Sequence, residues 1–171
     1  SNADSALQDR ILAGHQAVLA QVEYFRANFG TAESSWKKDG TRVTVVDETI
    51  SRELFLLLQK EFPSDDFCSE EGAETAEPIP TKSEFCWVLD PVDGTNNYAV
   101  GVPECCISLG LLRHGMPVYG LIYDYGRDNL LQGGKGFGSI EGTNPVQAAT
   151  QLVNEKLTYC MHFPIPAQSL E

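Results

Sequence analysis

Two carboxylates close an apolar run near the middle of the chain. Asp90 and Asp93 are three residues apart, with Pro91 between them and Gly94 directly after them. Because proline cannot donate to a sheet ladder, we expect strand pairing to fail just past Asp90 and the chain to turn there. Such a turn would point both carboxylates and the carbonyl of Val92 to the same side.

That geometry predicts a cation. Two carboxylates about 4 Å apart repel each other by roughly 4 kcal/mol at an effective dielectric of about 20, and a bound cation removes the repulsion. A ligand set made only of oxygens favours Mg²⁺, Ca²⁺ or Mn²⁺ over zinc. A solvated turn explains Asp-Pro-x-Asp-Gly equally well, because these residues are common turn formers. The motif by itself leaves both interpretations open.

Three segments, taken together, resemble the signature elements of the inositol monophosphatase family. Residues 87–98, WVLDPVDGTNNY, resemble its pattern D-P-[IL]-D-G-T-x-N-[FY]. Residues 69–72, SEEG, resemble its Glu-Glu metal element, and residues 38–47, KDGTRVTVVD, resemble its K-x-D-G-x-x-V-T-x-x-D element. All three occur in the family's order and at similar separations. A chance match to the whole set is much rarer than a match to one element.

The resemblance implies Mg²⁺-dependent hydrolysis of a phosphate monoester, with two or three metal ions. It assigns one ion to Glu70, Asp90 and the carbonyl of Val92, and a second ion to Asp90 and Asp93. A further aspartate of the family, in a W-D-x-A-A-G element, has no counterpart in this sequence. The resemblance therefore covers the N-terminal part of a typical family member.

The same resemblance implies roles for five residues in the reaction. Asp47 would accept a hydrogen bond from the hydroxyl of Thr95, which would in turn orient the attacking water. Glu70 would be the third catalytic residue. The substrate phosphate would lie against Asp93, Gly94 and Thr95, with backbone amides near Gly94 donating to its oxygens.

Other polar residues in these segments keep open roles. The family places a lysine near the phosphate, and Lys37 and Lys38 are the candidates, but exposed lysines also serve solubility alone. Glu71 has no assigned role. A capping box with Thr44 gives Asp47 a purely structural explanation, which is compatible with a catalytic role because the helix dipole favours a carboxylate there.

The elements that would position these residues follow from periodicity. Apolar residues recur at helical spacing over 4–29 and again over 44–62, which predicts two long helices. The polar segment 30–43 predicts a loop between them. A short strand over 67–69 would end at the glutamate pair, and 72–84 predicts a flexible surface insertion.

Past the acidic motif the pattern changes to strands. Alternation predicts antiparallel strands over 104–113, 118–125 and 130–133, joined by hairpin turns. The segment 144–152 predicts a short helical connection, and 157–163 predicts a further strand.

The predicted fold class is α+β, with two long N-terminal helices packed on a largely antiparallel sheet. This arrangement would form the N-terminal part of a layered αβαβα sugar-phosphatase fold. Residues 4–151 would make a metal-binding α+β domain, and residues 152–171 would begin a truncated C-terminal α/β domain.

The composition limits the kinds of partner and the location expected for this protein. The 24 acidic and 12 basic residues give a net charge of −12, which argues against nucleic acid or an anionic membrane as a partner. Five cysteines without C-x-x-C spacing predict free thiols in a reducing compartment. No membrane-spanning segment or signal peptide is visible, so a cytoplasmic protein is expected. The resembled family is commonly dimeric, which predicts a homodimer.

The leading functional interpretation is a lithium-sensitive phosphatase that acts on inositol phosphate or a related sugar phosphate. Fructose-1,6-bisphosphatase, 3′-phosphoadenosine phosphatase and histidinol phosphatase activities of the same fold are alternatives. A non-catalytic regulatory binding protein that keeps the fold is an alternative from another class. The intact acidic set argues against it, because a degenerate member should have lost at least one of these residues.

Overall fold

The computed structural model describes residues 2–37, 40, 42–72 and 82–147. The helices are α1 (Asn2–Leu19), α2 (Val22–Ala27), α3 (Val45–Glu61) and α4 (Thr95–Val100). The strands are β1 (Ser34–Trp36), β2 (Arg42–Thr44), β3 (Asp66–Ser69), β4 (Phe85–Asp93), β5 (Cys106–Arg113), β6 (Met116–Asp124), β7 (Asn129–Gly134), β8 (Gly138–Glu141) and β9 (Asn144–Val146).

Seven of these strands form one sheet in the order β3-β4-β5-β6-β7-β8-β9. Strand β3 runs parallel to β4, and the other neighbouring pairs are antiparallel. Strands β1 and β2 make a separate antiparallel hairpin. Helices on a mostly antiparallel sheet confirm the predicted α+β class.

The core lies between the helices and one face of the sheet. Because side chains alternate across a strand, every second residue of β4, β5 and β6 faces α1 and α3. The buried sheet residues on this face are Phe85, Trp87, Leu89, Ile107, Leu109, Leu111, Tyr119, Leu121 and Tyr123. Full burial of such a side chain stabilises the fold by roughly 1.5 to 3 kcal/mol. This packing fixes β4, which carries the acidic motif.

The first helical region is broken, so the prediction of one helix over 4–29 was wrong in its continuity. The N–H of Gln21 bonds to the carbonyl of Val18, three residues back, which tightens the turn between α1 and α2. The side-chain amide of buried Gln21 also donates to the carbonyl of Ala17. After the break, α2 directs Phe25 onto the ring of Tyr98, with the centroids 4.8 Å apart.

Helix α3 begins as predicted. Thr44 is its N-cap, and the Thr44 hydroxyl accepts from the N–H groups of Val46 and Asp47. The carboxylate of Asp47 accepts from the backbone N–H of Thr44 at 2.7 Å, which completes the capping box. The Asp47 carboxylate is thereby held in one position at the start of a helix that packs on β4.

Two segments form strands where other structures were predicted. The segment 30–43 contains β1 and β2 instead of a plain loop, with Trp36 paired to Arg42. Three-residue strands are too short for a periodic pattern to reveal them. Residues Asn144–Val146 form β9 instead of a helix, because Gly142 adopts a positive φ of 59° and turns the chain back onto β8.

Several predictions concern parts outside the described residues. They include Lys38, most of the surface insertion, the strand over 157–163 and the second domain over 152–171. Cys68, Cys86, Cys105 and Cys106 are free thiols, as predicted. None of the described helices combines the length and the apolar character needed to cross a lipid bilayer.

Candidate active site

A cleft of about 410 Å³ opens at the C-terminal end of β4. The hairpin of β1 and β2 contributes one wall, and β4 and α4 contribute the other. Its lining residues are Trp36, Gly40, Arg42, Glu70, Asp90, Val92, Gly94, Thr95, Asn96 and Asn97. Most of the acidic motif predicted to bind a metal therefore faces a cavity of the size of a small ligand.

Strand β4 does not stop at Asp90, as the proline had suggested, but continues to Asp93 through a bulge. Asp90 pairs with Ser108 and Asp93 pairs with Cys106, so three residues of β4 advance where β5 advances by two. Pro91 lies inside this irregularity, where its missing N–H leaves no ladder bond unmade. The bulge places Asp90 in the cleft and Asp93 at the strand end.

The surroundings of Asp90 on β4 disfavour its charged form. Its side chain is half-buried and lines the cleft. Burial, followed by the charges of Asp93 and Glu70, raises the pKa of Asp90 to about 7. A carboxylate in this position is energetically unfavourable as an anion unless a cation approaches it.

Asp93 lies beside Asp90 but is exposed. The thiol of Cys106 is 3.8 Å from the Oδ2 of Asp93. Burial, and then the charges of Asp93 and Asp90, raise the pKa of Cys106 to about 12, so the thiol stays protonated as a weak donor. Asp93 thus keeps most of its oxygen lone pairs free toward solvent.

The glutamate pair follows β3 in a short 3₁₀ turn and meets a lysine. Nζ of Lys37 lies 2.7 Å from the Oε2 of Glu71 and 3.5 Å from the Oε2 of Glu70. Burial opposes the charged form of Lys37, but the hydrogen bond and charge of Glu71 outweigh it and raise the pKa of Lys37. Burial and neighbouring Glu70 raise the pKa of Glu71 to about 7 despite this ion pair. Lys37 therefore holds the glutamates at the cleft rim.

A chain of hydrogen bonds connects the start of α3 with the start of α4. The hydroxyl of Thr95 lies 3.3 Å from the Oδ1 of Asp47 and 2.9 Å from the carbonyl oxygen of Val92. Its single proton can serve one acceptor at a time. Asp47 is fully buried, and that burial raises its pKa although the hydrogen bonds from Thr44 oppose the shift. The predicted contact between Asp47 and Thr95 is present.

Gly94 allows the chain to turn between β4 and α4. Its φ of +85° favours glycine, and a Cβ at this position would lie 2.7 Å from the carbonyl oxygen of Glu104. Any other residue would force the neighbouring backbone apart. The glycine therefore brings the backbone at Thr95 against the cleft.

The acidic residues share this end of the sheet, but they do not form a ready metal cage. Within the described ranges, no group of three or more Asp, Glu, His or Cys side chains is gathered closely enough to hold a metal ion. Lys37 pairs with Glu71 and, more weakly, with Glu70, and the charge of Asp93 raises the pKa of Asp90. The available donors, three carboxylates and the Val92 carbonyl, still match the oxygen ligands that Mg²⁺ prefers.

Several lining residues of the cleft were not predicted from the sequence, among them two large side chains of the hairpin. Trp36 and Arg42 face it from the hairpin, with the Cζ of Arg42 4.6 Å from the centroid of the Trp36 ring. An aromatic and a basic residue six positions apart in a polar segment gave no periodic signal. Recognising the hairpin would have paired them directly.

Comparison with known proteins finds relatives of one family. The model of the inositol monophosphatase family matches residues 7–163. Inositol monophosphatase 1 of Solanum lycopersicum is 34% identical over 109 residues, which are 64% of this chain and 40% of that protein. The fructose-1,6-bisphosphatase/inositol-1-monophosphatase of Aquifex aeolicus is 35% identical over 129 residues, which are 72% of this chain and 46% of that protein.

A solved structure gives the same result for the fold. The IMPase of Thermotoga maritima superposes with a TM-score of 0.74 at 24% identity, over 83% of this chain and 54% of that one. The present chain spans about half the length of the curated relatives that it matches, between 40% and 50% for those of Solanum, Synechocystis and Aquifex.

Proposed function

The chain belongs to the inositol monophosphatase family, and on this premise we propose that it supplies the metal-binding part of a Mg²⁺-dependent phosphate monoester hydrolase. The observation that supports this most is Asp90, a half-buried carboxylate that lines the cleft together with Glu70, because burial and the charges of Asp93 and Glu70 raise its pKa to about 7. Paired, desolvated carboxylates of this kind are stabilised by a divalent cation.

Glu70, Asp90, Asp93 and the carbonyl of Val92 would hold the ions. When bound, Mg²⁺ would neutralise charge on the phosphate and lower the pKa of the attacking water. Of the two lone pairs on the carbonyl of Val92, the hydroxyl of Thr95 can occupy at most one, which leaves the other for an ion. Glu70 is about half-exposed and bonded weakly to Lys37, so its carboxylate can turn toward Asp90 without breaking a buried contact.

Asp47 and Thr95 would orient the water. With its proton directed to Asp47, the hydroxyl of Thr95 keeps lone pairs that can accept from a water in the cleft. Asp47 cannot rotate away, because the N–H and hydroxyl of Thr44 hold its other oxygen. A positioned acceptor pair of this kind typically accelerates proton transfer by about a hundredfold to ten-thousandfold.

The phosphate would lie against the turn between β4 and α4. Gly94 carries no side chain there, and the backbone amides at Gly94 and Thr95 would donate to phosphate oxygens beside Asp93. Phosphoryl transfer needs positioning and charge neutralisation more than covalent chemistry, and these residues supply both. An inositol phosphate or a related sugar phosphate is the proposed substrate.

Release of inorganic phosphate tests this proposal. The full chain is incubated with inositol 1-phosphate and a panel of sugar and nucleotide monoesters, with Mg²⁺ or with EDTA. We expect release that requires Mg²⁺ and that excess Li⁺ suppresses. A folded protein that binds Mg²⁺ but hydrolyses no ester would support the non-catalytic regulatory binding protein instead.

We propose a homodimer in the cytoplasm as the working form, on family membership alone. Light scattering coupled to size-exclusion chromatography gives the mass directly. A mass of one chain at micromolar concentration would contradict the dimer.

A further inference from the structure

Strand β3 follows helix α3 up to the glutamate pair. Phe67 and Ser69 are two apart on β3 and therefore face the same side of the strand. The ring of Phe67 packs against that of Phe55 on α3, with the centroids 5.2 Å apart. The Oγ of Ser69 lies 2.9 Å from the Oγ of Ser51, one helical turn before Phe55. Two strand residues span about 6.6 Å and four helix residues about 6.0 Å, so the two elements stay matched along this contact.

One more step in the same direction leads to the residues proposed for the site. Asp47 lies four residues before Ser51, and Glu71 lies two residues after Ser69. Burial is the main cause of the raised pKa of Glu71, but the charge of Asp47 also contributes, because the two carboxylates are near each other. Among the described residues, the bond between the two serines is the only hydrogen bond that joins α3 to β3 and the glutamate turn.

Few other contacts fix the position of Glu70. Its side chain is 53% exposed, and its contact with the Nζ of Lys37 is long, at 3.5 Å. Among the described strands, β3 lies at the edge of the sheet, where it pairs with β4 alone. The hydroxyl of Ser69 therefore holds the end of this edge strand from the helix side, directly before the chain turns into Glu70.

Packing alone does not require two hydroxyl groups at this contact. Ser51 and Ser69 are both half-buried, and the rings of Phe55 and Phe67 already join the helix to the strand. A hydrogen bond depends on both distance and direction, so it fixes the strand end more narrowly than an apolar contact does. Oxygen ligands of Mg²⁺ need such precision, because they must lie about 2.0 to 2.1 Å from the ion in near-octahedral geometry.

We propose that the hydrogen bond between Ser51 and Ser69 positions Glu70 for a divalent cation, which makes the two serines positioning residues of the proposed metal site. The bond connects the helix that holds Asp47 with the turn that carries Glu70. Without it, the glutamate turn would have to be ordered when the cation binds, and the affinity would fall by the cost of that ordering. This inference rests on the proposed function, because it concerns the same site.

Calorimetric titration of the full chain with Mg²⁺ tests the inference. Ser51→Ala and Ser69→Ala should each raise the Kd for Mg²⁺ by about threefold to tenfold, the effect of one lost hydrogen bond. The double variant should raise it no further, because either single change already removes the bond. Ser69→Thr keeps a hydroxyl and should retain most of the affinity. Ser139→Ala, at an exposed position of β8, is the matched control and should leave the Kd unchanged.

Urea unfolding without metal separates positioning from structural support. Alanine favours a helix more than serine does, which offsets the lost hydrogen bond, so Ser51→Ala should unfold at nearly the same urea concentration as the wild type. Its weaker Mg²⁺ binding would then have no counterpart in stability. A purely structural bond would instead lower the stability of the variants and leave the Kd of the folded protein unchanged.

Two results would overturn the inference while leaving the proposed function intact. One is Mg²⁺ binding by the wild type that neither single variant weakens. The other is a double variant in which the effects of the two single changes add in full, because the serines would then act independently. A wild type that binds no Mg²⁺ would refute the metal site of the proposed function, and the inference with it.

Discussion

Aspartates lie close to both ends of β4, Asp65 from the turn before β3 at one end and Asp90 and Asp93 at the other, but their surroundings differ. At the N-terminal end, Asp65 accepts from Arg10 at 2.7 and 2.8 Å and from the indole N–H of Trp87 at 3.0 Å. The guanidinium of Arg10 lies between the rings of Phe62 and Phe85, 4.4 and 4.0 Å from their centroids. Each oxygen of this buried carboxylate therefore has a charged or polar donor.

At the C-terminal end, Asp90 faces other carboxylates instead. Its neighbours Asp93 and Glu70 raise its pKa, and the nearby Lys37 is bonded to Glu71. If Asp90 served stability alone, we would expect a positively charged partner to neutralise it, as Arg10 neutralises Asp65. The difference supports a structural role for Asp65 and the metal site proposed around Asp90.

Replacing one carboxylate at the C-terminal end of β4 should have the largest effect on function. Asp93→Asn is expected to lower turnover by about a thousandfold, because a metal ligand contributes several kcal/mol to the transition state. The melting temperature without added metal should be unchanged or raised, because repulsion of Asp90 is relieved. Kinetics and calorimetry on the same sample check both. Loss of several degrees would mean that Asp93 is structural.

The opposite result is expected for Asp65, near the N-terminal end of β4. Asp65→Asn leaves Arg10 buried without its partner and should lower the free energy of unfolding by roughly 3 kcal/mol. Arg10 is 14% and Asp65 3% exposed in their side chains, so solvent screens this pair little. Urea denaturation measures the loss, and turnover per folded molecule should stay near that of the wild type. Full stability in this variant would remove the contrast between the two ends.

Replacing Thr95 should lower catalysis while leaving stability almost unchanged. Thr95→Val keeps the shape but removes the hydroxyl between Asp47 and Val92, and should lower kcat about a hundredfold with a small effect on stability. Thr143→Val, at an exposed hairpin turn, is the matched control and should change neither quantity. An active Thr95→Val enzyme would show that this hydroxyl does not orient the water.

The pH dependence of stability should reveal the raised pKa of Asp90 directly. The pKa of Asp90 is about 7 in the folded protein and about 3.9 in the unfolded chain. Between these values the native state binds the extra proton, so metal-free stability from this group is full below about pH 4 and is lost as pH rises through 7. The melting temperature should fall from pH 5.5 to pH 8, and Asp90→Asn should reduce that slope. An unchanged slope would place the titration elsewhere, as at Glu71.

Local chemistry made part of this structure predictable. The Thr44 and Asp47 spacing predicted a capping box because the bonds lie within one turn, and alternation predicted β5 and β6. The bulge that carries β4 past Pro91 depends on its neighbour β5, which no local pattern encodes. The stack of Arg42 on Trp36 likewise depends on a hairpin of three-residue strands. The family resemblance predicted which acidic residues would bind a metal, but the ion pairs of Lys37 with Glu70 and Glu71 depend on tertiary contacts.

Mg²⁺ binding at the C-terminal end of β4 is the most direct test of the proposed metal site. Calorimetric titration and thermal unfolding with Mg²⁺ are compared for the wild type and Asp90→Asn. We predict that Mg²⁺ binds the wild type and, at about a hundredfold excess over Kd, stabilises it by about 2.7 kcal/mol, and that the variant loses most of this stabilisation. Mg²⁺ binding that is absent from the wild type, or equal in Asp90→Asn, would contradict a metal site among these carboxylates.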